Sequence, residues 1–126
     1  MLPSKELLSE ILKKELERHD SAFVEVTDVG ISNNVVHINY KNTHGFIRLF
    51  IINIYELAHK CKEWAFHNYH FVLASRVYKG SSVVIEETIG TGMGGGKRMV
   101  QQFIETTEPE AIFKACEYIL KQLSNK

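Results

Sequence analysis

An α+β fold, with an antiparallel sheet of five to six strands and three amphipathic helices, follows from three observations. Apolar residues recur at helical spacing in three stretches, near the start, the middle and the end of the chain. Between them lie runs of alternating or continuous β-branched and aromatic residues, three in each interval. The connections within each interval are too short for parallel crossovers, so the strands turn back on their neighbours. The element order is α-βββ-α-βββ-α.

The first helix is expected over residues 3–19. Leu7, Leu8, Ile11, Leu12 and Leu16 fall on one face, and Pro3 suits a first turn. Glu10 with Lys14, and Lys13 with Glu17, sit four apart on the solvated side, worth about 0.2–0.5 kcal/mol each.

Three strands follow. Ala22–Val29 alternates and should end at Gly30, with residues 31–34 as the turn. Val35–Tyr40 alternates again, and residues 42–45 form the next turn. The run Phe46–Ile52 is almost wholly apolar, which predicts a central strand covered on both faces.

Asn53 can cap the second helix, with Glu56 three residues on as the capping-box partner. Ile54, Leu57, Ala58, Cys61 and Ala65 form its buried stripe, flanked by Trp64, and the helix should stop near Asn68. His70–Tyr78 and Val83–Ile89 are the next strands, and Lys97–Glu105 is either a third strand, which pairing across the glycines favours, or a short helix with Met99, Val100, Phe103 and Ile104 on one face. Thr107 and Glu110 make a capping box with Pro109 in the first turn of the last helix. Its stripe is Ile112, Phe113, Cys116, Ile119, Leu120 and Leu123. Phe50, Ile52, Leu57, Phe71 and Ile119 are expected to be nearly fully buried.

A chain of 126 residues predicts one domain, 1–126, with a modest core. Fifteen cations balance fifteen anions, which argues against binding nucleic acid or a membrane surface by bulk charge. No apolar run reaches the roughly 18 residues of a bilayer span, and the first six residues are polar and helix-forming, so a cytoplasmic location is expected. Cys61 and Cys116 fall on apolar helix stripes and read as buried free thiols.

The order helix–three strands–helix resembles that of double-stranded-RNA-binding domains. Such a domain aims lysines at phosphates from the start of its second helix, and Asn53-Ile54-Tyr55-Glu56 offers none. The likeness therefore stops at element order. Tyr40, Phe46, Phe50 and Tyr78 could form a stacking platform, although aromatic residues in strands usually serve the core.

One stretch has unusual composition, with five glycines between Gly90 and Gly96 followed by two cations. Gly90-Thr91-Gly92-Met93-Gly94-Gly95 matches G-x-G-x-x-G as a string, but extended sequence follows where a dinucleotide fold needs a helix N-terminus. The phosphate-loop pattern also fails, because Arg98 stands where a hydroxyl residue is required. Gly90, Thr91, Gly92, Gly94, Gly95, Gly96, Lys97 and Arg98 are therefore candidate contacts in a hairpin tip. The partner would be a protein or a small anionic ligand, with nucleic acid less favoured.

The six histidines do not stand at metal-ligand spacing with cysteine or carboxylate, and Glu86 and Glu87 project from opposite strand faces. No metal or other cofactor is expected. The sequence leans to a non-enzymatic binding or assembly module, homodimeric through an edge strand or a sheet face; a binder of phosphate-containing ligands or nucleic acid through Thr91, Lys97 and Arg98 is the alternative, and an enzyme using His59, His67 or His70 comes third.

Overall fold

A computed structural model describes residues 2–77, 81–89 and 96–123. The elements are α1 (Lys5–His19), β1 (Phe23–Ser32), β2 (Val35–Asn42), β3 (Ile47–Asn53), α2 (Ile54–Tyr69), β4 (Phe71–Val77), β5 (Ser81–Ile89), β6 (Gly96–Glu105) and α3 (Glu108–Tyr118). A wide π-helical turn, Ile119–Leu123, continues α3. The class is α+β, in the expected order, and no described helix is long and apolar enough to cross a membrane. The chain divides into two compact units, Met1–Lys60 and Cys61–Lys126, with the boundary inside α2.

The strands pair as two three-stranded antiparallel sheets, β1-β2-β3 and β4-β5-β6, in place of the single sheet of five to six strands expected. Each strand bonds only to its neighbours in sequence, because short turns close such ladders at little entropic cost. Nothing in strand composition says whether two ladders of this kind share an edge.

In the first unit, Ser4 caps α1 by accepting a bond from the Leu7 N–H at 3.1 Å, so Pro3 precedes the cap instead of occupying the first turn. Leu7, Leu8, Leu12 and Leu16 are fully buried, and α1 packs on β1. β1 runs through Gly30 to Ser32, past its expected end. The turn is narrower than residues 31–34, since Asn33 and Asn34 alone carry positive φ, 53° and 65°. Two such residues give a hairpin turn whose twist matches the strands, and asparagine tolerates that backbone region.

β2 is the middle strand, with Val36, Ile38 and Tyr40 fully buried. β3, read as a central strand covered on both faces, lies at the edge and buries only Ile52, with Phe50 half-buried. The reason is topological: in a meander of three, the second strand is the central one, however apolar the third.

Asn53 accepts a bond from the Tyr55 N–H at 2.8 Å and opens α2. Ile54, Leu57, Ala58, Cys61, Trp64 and Ala65 are all buried along it.

In the second unit, α3 packs over β4, β5 and β6. Thr107 caps α3 as expected, its Oγ1 accepting from the Glu110 N–H at 3.3 Å, while its hydroxyl donates to Glu110 Oε1 at 3.0 Å. Leu73, Ile85, Ile112, Phe113, Cys116 and Ile119 are buried here. Phe71, expected in the core, is half-buried at the start of β4.

Candidate functional site

Of the glycine stretch, Gly90, Thr91, Gly92, Gly94 and Gly95 lie outside the described residues. Gly96, Lys97 and Arg98 open β6, where their backbones pair with Ile89, Thr88 and Glu87 of β5. The stretch thus connects two antiparallel strands, and the residues after it are extended, as read from the sequence.

The other candidates disperse. His19, His44, His59, His67 and His70 are exposed, spread over α1, the β2–β3 turn, α2 (His59 and His67) and the residue that follows it, and His37 is half-buried. No three histidine, cysteine or acidic side chains converge as metal ligands among the described residues. Cys61 and Cys116 are free and fully buried, and the Cys116 thiol donates to the Cys61 carbonyl at 3.5 Å. Burial, and then the Cys116 sulfur, push the Cys61 thiol well above its ordinary range, which leaves little nucleophilic thiolate. Tyr40 is fully buried and Phe46 is exposed, so these aromatics form no common platform; Tyr78 lies outside the described residues.

Two arrangements that the sequence did not announce stand out in the first unit. The first is a polar knot. Asp20 ends α1, with its own N–H donating to the Leu16 carbonyl at 2.7 Å. Its carboxylate accepts from the Ala22 N–H and from Asn42 Nδ2, each at 3.1 Å, and stands 3.7 Å from Arg48 Nε. Asn42, buried at the end of β2, also accepts from the His44 and Phe46 N–H groups at 3.0 Å each.

The Asn42 bond, followed by the Ala22 N–H, holds the Asp20 carboxyl below its usual range, against a smaller opposing effect of burial. Beside the knot is a cleft of about 180 Å³ lined by His19, Asp20, Tyr40 and Arg48. The Tyr40 hydroxyl has no hydrogen-bond partner among the described residues, and burial, then the Asp20 charge, raise its pKa. The cation and the anion of this cleft already face each other, so it presents no net charge to a ligand.

The second arrangement is the open edge of β3. Asn42 donates its N–H to the Phe46 carbonyl, and Ile54 donates to the Asn34 carbonyl at the other end. The β2–β3 register is continuous between these two bonds. In an antiparallel ladder hydrogen-bonded pairs alternate, so Arg48, Phe50 and Ile52 bond back to β2. The N–H and C=O groups of Ile47, Leu49 and Ile51 then point away from the sheet.

The side chains of the same three residues are 58%, 51% and 53% exposed. Across the ladder their neighbours are Lys41, Asn39 and His37. The other edge is unlike this one. β1 has register breaks between Phe23 and Glu25 and between Val26 and Asp28, carries both acids, and gives the Val26 N–H to the Ser9 hydroxyl of α1 at 3.1 Å. Bulges, charges and a covering helix are how an edge is closed to further pairing, and β3 has none of them along Ile47–Asn53 save Arg48.

No protein-family model matches this chain, no curated protein matches it, and no solved structure matches it.

Proposed function

We propose that the chain is a small binding or assembly module that joins a protein partner along the free edge of β3. The observation that supports this is the coincidence, at Ile47, Leu49 and Ile51, of outward backbone groups with exposed apolar side chains. A strand added at such an edge gains main-chain bonds, while side-chain contacts on the face set its specificity. What Ile47, Leu49 and Ile51 offer is outward backbone and hydrocarbon, which suits recognition.

A second contact, through the hairpin 90–98, is favoured by the pairing of Ile89 with Gly96, which makes the glycines the hairpin connection. Glycine-rich tips expose backbone N–H groups, and Lys97 and Arg98 suit an acidic protein surface, a phosphate-containing ligand or nucleic acid.

One experiment tests both contacts. Immobilised native protein, a Leu49→Lys variant and a variant with residues 90–95 replaced by Asn-Gly are exposed to extract of the source organism and to an untagged copy of the chain. The β3 reading expects retention that Leu49→Lys abolishes and the loop replacement leaves intact. Retention unchanged by Leu49→Lys would overturn it. Loss on loop replacement alone, greater at low salt than at high salt, would establish the second contact in its place.

A further inference from the structure

We infer that the strand which occupies the free edge of β3 is β3 of a second copy, antiparallel, with Leu49 opposite its own counterpart on the two-fold axis. This rests on the β3 reading above and names its partner.

The pattern of the edge is self-complementary. A two-fold through Leu49 pairs Leu49 with Leu49 of the second copy and Ile47 with Ile51 in both directions. Each of these residues has its N–H and C=O turned outward, so every pair can exchange both backbone bonds. On the exposed face the two strands then lay six aliphatic side chains side by side, and cross-strand pairs of that kind are the unit of sheet stabilisation. On the other face Arg48 of one copy meets Phe50 of the other, a guanidinium against an aromatic ring.

The neighbouring registers are worse. Sliding the pair one way sets Arg48 directly against its own copy, like charge on like charge. Sliding it the other way sets Ile47 against Asn53 and forfeits an apolar pair. An isologous contact of this kind closes after two copies, because each copy has one open edge in its first sheet and β1 is blocked.

The area is consistent with a reversible dimer. At about 200 Å² of accessible surface for a large side chain, the exposures of Ile47, Leu49 and Ile51 leave roughly 320 Å² of apolar area per copy. That is well below the ~800 Å² per partner of a standard interface, so the contact is a weak, reversible one that leans on its backbone bonds.

Disulfide trapping with light scattering tests the pairing. Pure native protein should pass from monomer to dimer between about 1 and 200 µM. Leu49→Cys should form a covalent dimer on mild oxidation, since residues opposed in a bonded pair sit at about 5.5 Å between Cα atoms, within disulfide reach. Ile47→Cys alone should trap at least about tenfold less, and the double variant Ile47→Cys/Ile51→Cys should restore trapping. Cys61 and Cys116 are buried and should not compete. Leu49 is half-exposed, so Leu49→Lys should keep the native circular dichroism while scattering as a monomer.

A native protein that stays monomeric at 200 µM overturns the inference. So does a dimer in which Ile47→Cys traps as well as Leu49→Cys, since that register is not the one argued. If the monomeric protein still retains another protein that Leu49→Lys releases, the second-copy inference fails and the proposed function stands. If nothing retained depends on Leu49, both fail.

Discussion

Replacing Asn42 by alanine tests the polar knot most directly. The side chain accepts bonds from the His44 and Phe46 N–H groups and donates one to the Asp20 carboxylate. A neutral hydrogen bond contributes about 1 kcal/mol net and one to a charged group about 1.5–3 kcal/mol. His44 and Phe46 are exposed residues, so water replaces part of what their amides lose. Asp20 keeps the Ala22 N–H and Arg48. The net cost should therefore be about 2–4 kcal/mol, below the sum of the three bonds.

For a chain of this length that corresponds to roughly 4 °C per kcal/mol, a fall in Tm of about 8–16 °C. Urea unfolding followed by circular dichroism measures it, with the midpoint moving at unchanged slope. In a double-mutant cycle, Asp20→Ala and Asn42→Ala should be non-additive, as expected of side chains in direct contact.

The same variant carries a pH signature. The Asp20 carboxyl is held below its ordinary 3.8 in the folded protein, so its stabilising contribution is present above that value and is lost as pH falls through the folded pKa. Removing Asn42 removes the leading cause of the shift and should flatten that acid limb. A midpoint change under about 0.5 kcal/mol, or an acid limb as steep as the native one, would refute the assignment of these bonds to the fold's stability.

The remaining expectations concern the core, the thiols, the tyrosine and the loop. Leu57, fully buried in α2, should cost ~2–5 kcal/mol on replacement by alanine, and a smaller loss in thermal unfolding would show that the site collapses around the gap. Cys61 and Cys116 should resist an aromatic disulfide reagent in native protein and react fully once urea unfolds the chain. Rapid labelling of the native form would contradict their burial. In an alkaline absorbance titration Tyr40 should ionise above the ordinary tyrosine value of 10.0, and since its folded pKa is raised, its contribution to stability is complete below pH 10 and declines as pH rises above that. Asn-Gly in place of residues 90–95 should leave the far-ultraviolet spectrum unchanged and raise Tm, because it removes glycines that cost unfolded-state entropy; a lowered Tm would show that the native tip is held by specific contacts.

Local pattern reached the helices and stopped short of the sheets' edges. The stripes of α1, α2 and α3 are buried almost residue for residue, because a helix's inward face follows from spacing alone. Ser4 was missed as the α1 cap because Pro3 fits a first turn equally well by composition, and only the backbone angles separate cap from turn. β3 was misplaced for a different reason. Continuous apolar sequence signals burial on both faces, yet position in a three-strand meander outranks composition, and the connectivity that decides it was already visible in the short turns.

The outward alternation Ile47, Leu49, Ile51 follows from that connectivity, since the third strand of a meander lies at its edge. The knot at Asp20 and Asn42 had no such signal. Its members lie 22 positions apart in the chain, and ordinary turn residues do not show which of them will meet. The glycine stretch attracted notice through composition, which marks a change of backbone freedom and does not identify a ligand.

Nearest-neighbour pairing of the strands also bears on how the chain reaches this state. Each ladder closes over a short connection, so ordering it needs no search between distant segments, and low contact order of this kind goes with fast folding. The first sheet is complete in sequence by Asn53, before any residue of the second sheet has been made. During synthesis from the N-terminus, at about 5–20 residues per second, the β1–β3 ladder has seconds in which to form while the remainder emerges. The β3 edge is thus the first sheet margin the nascent chain presents. Neighbouring chains translated from one message would be the first company it meets.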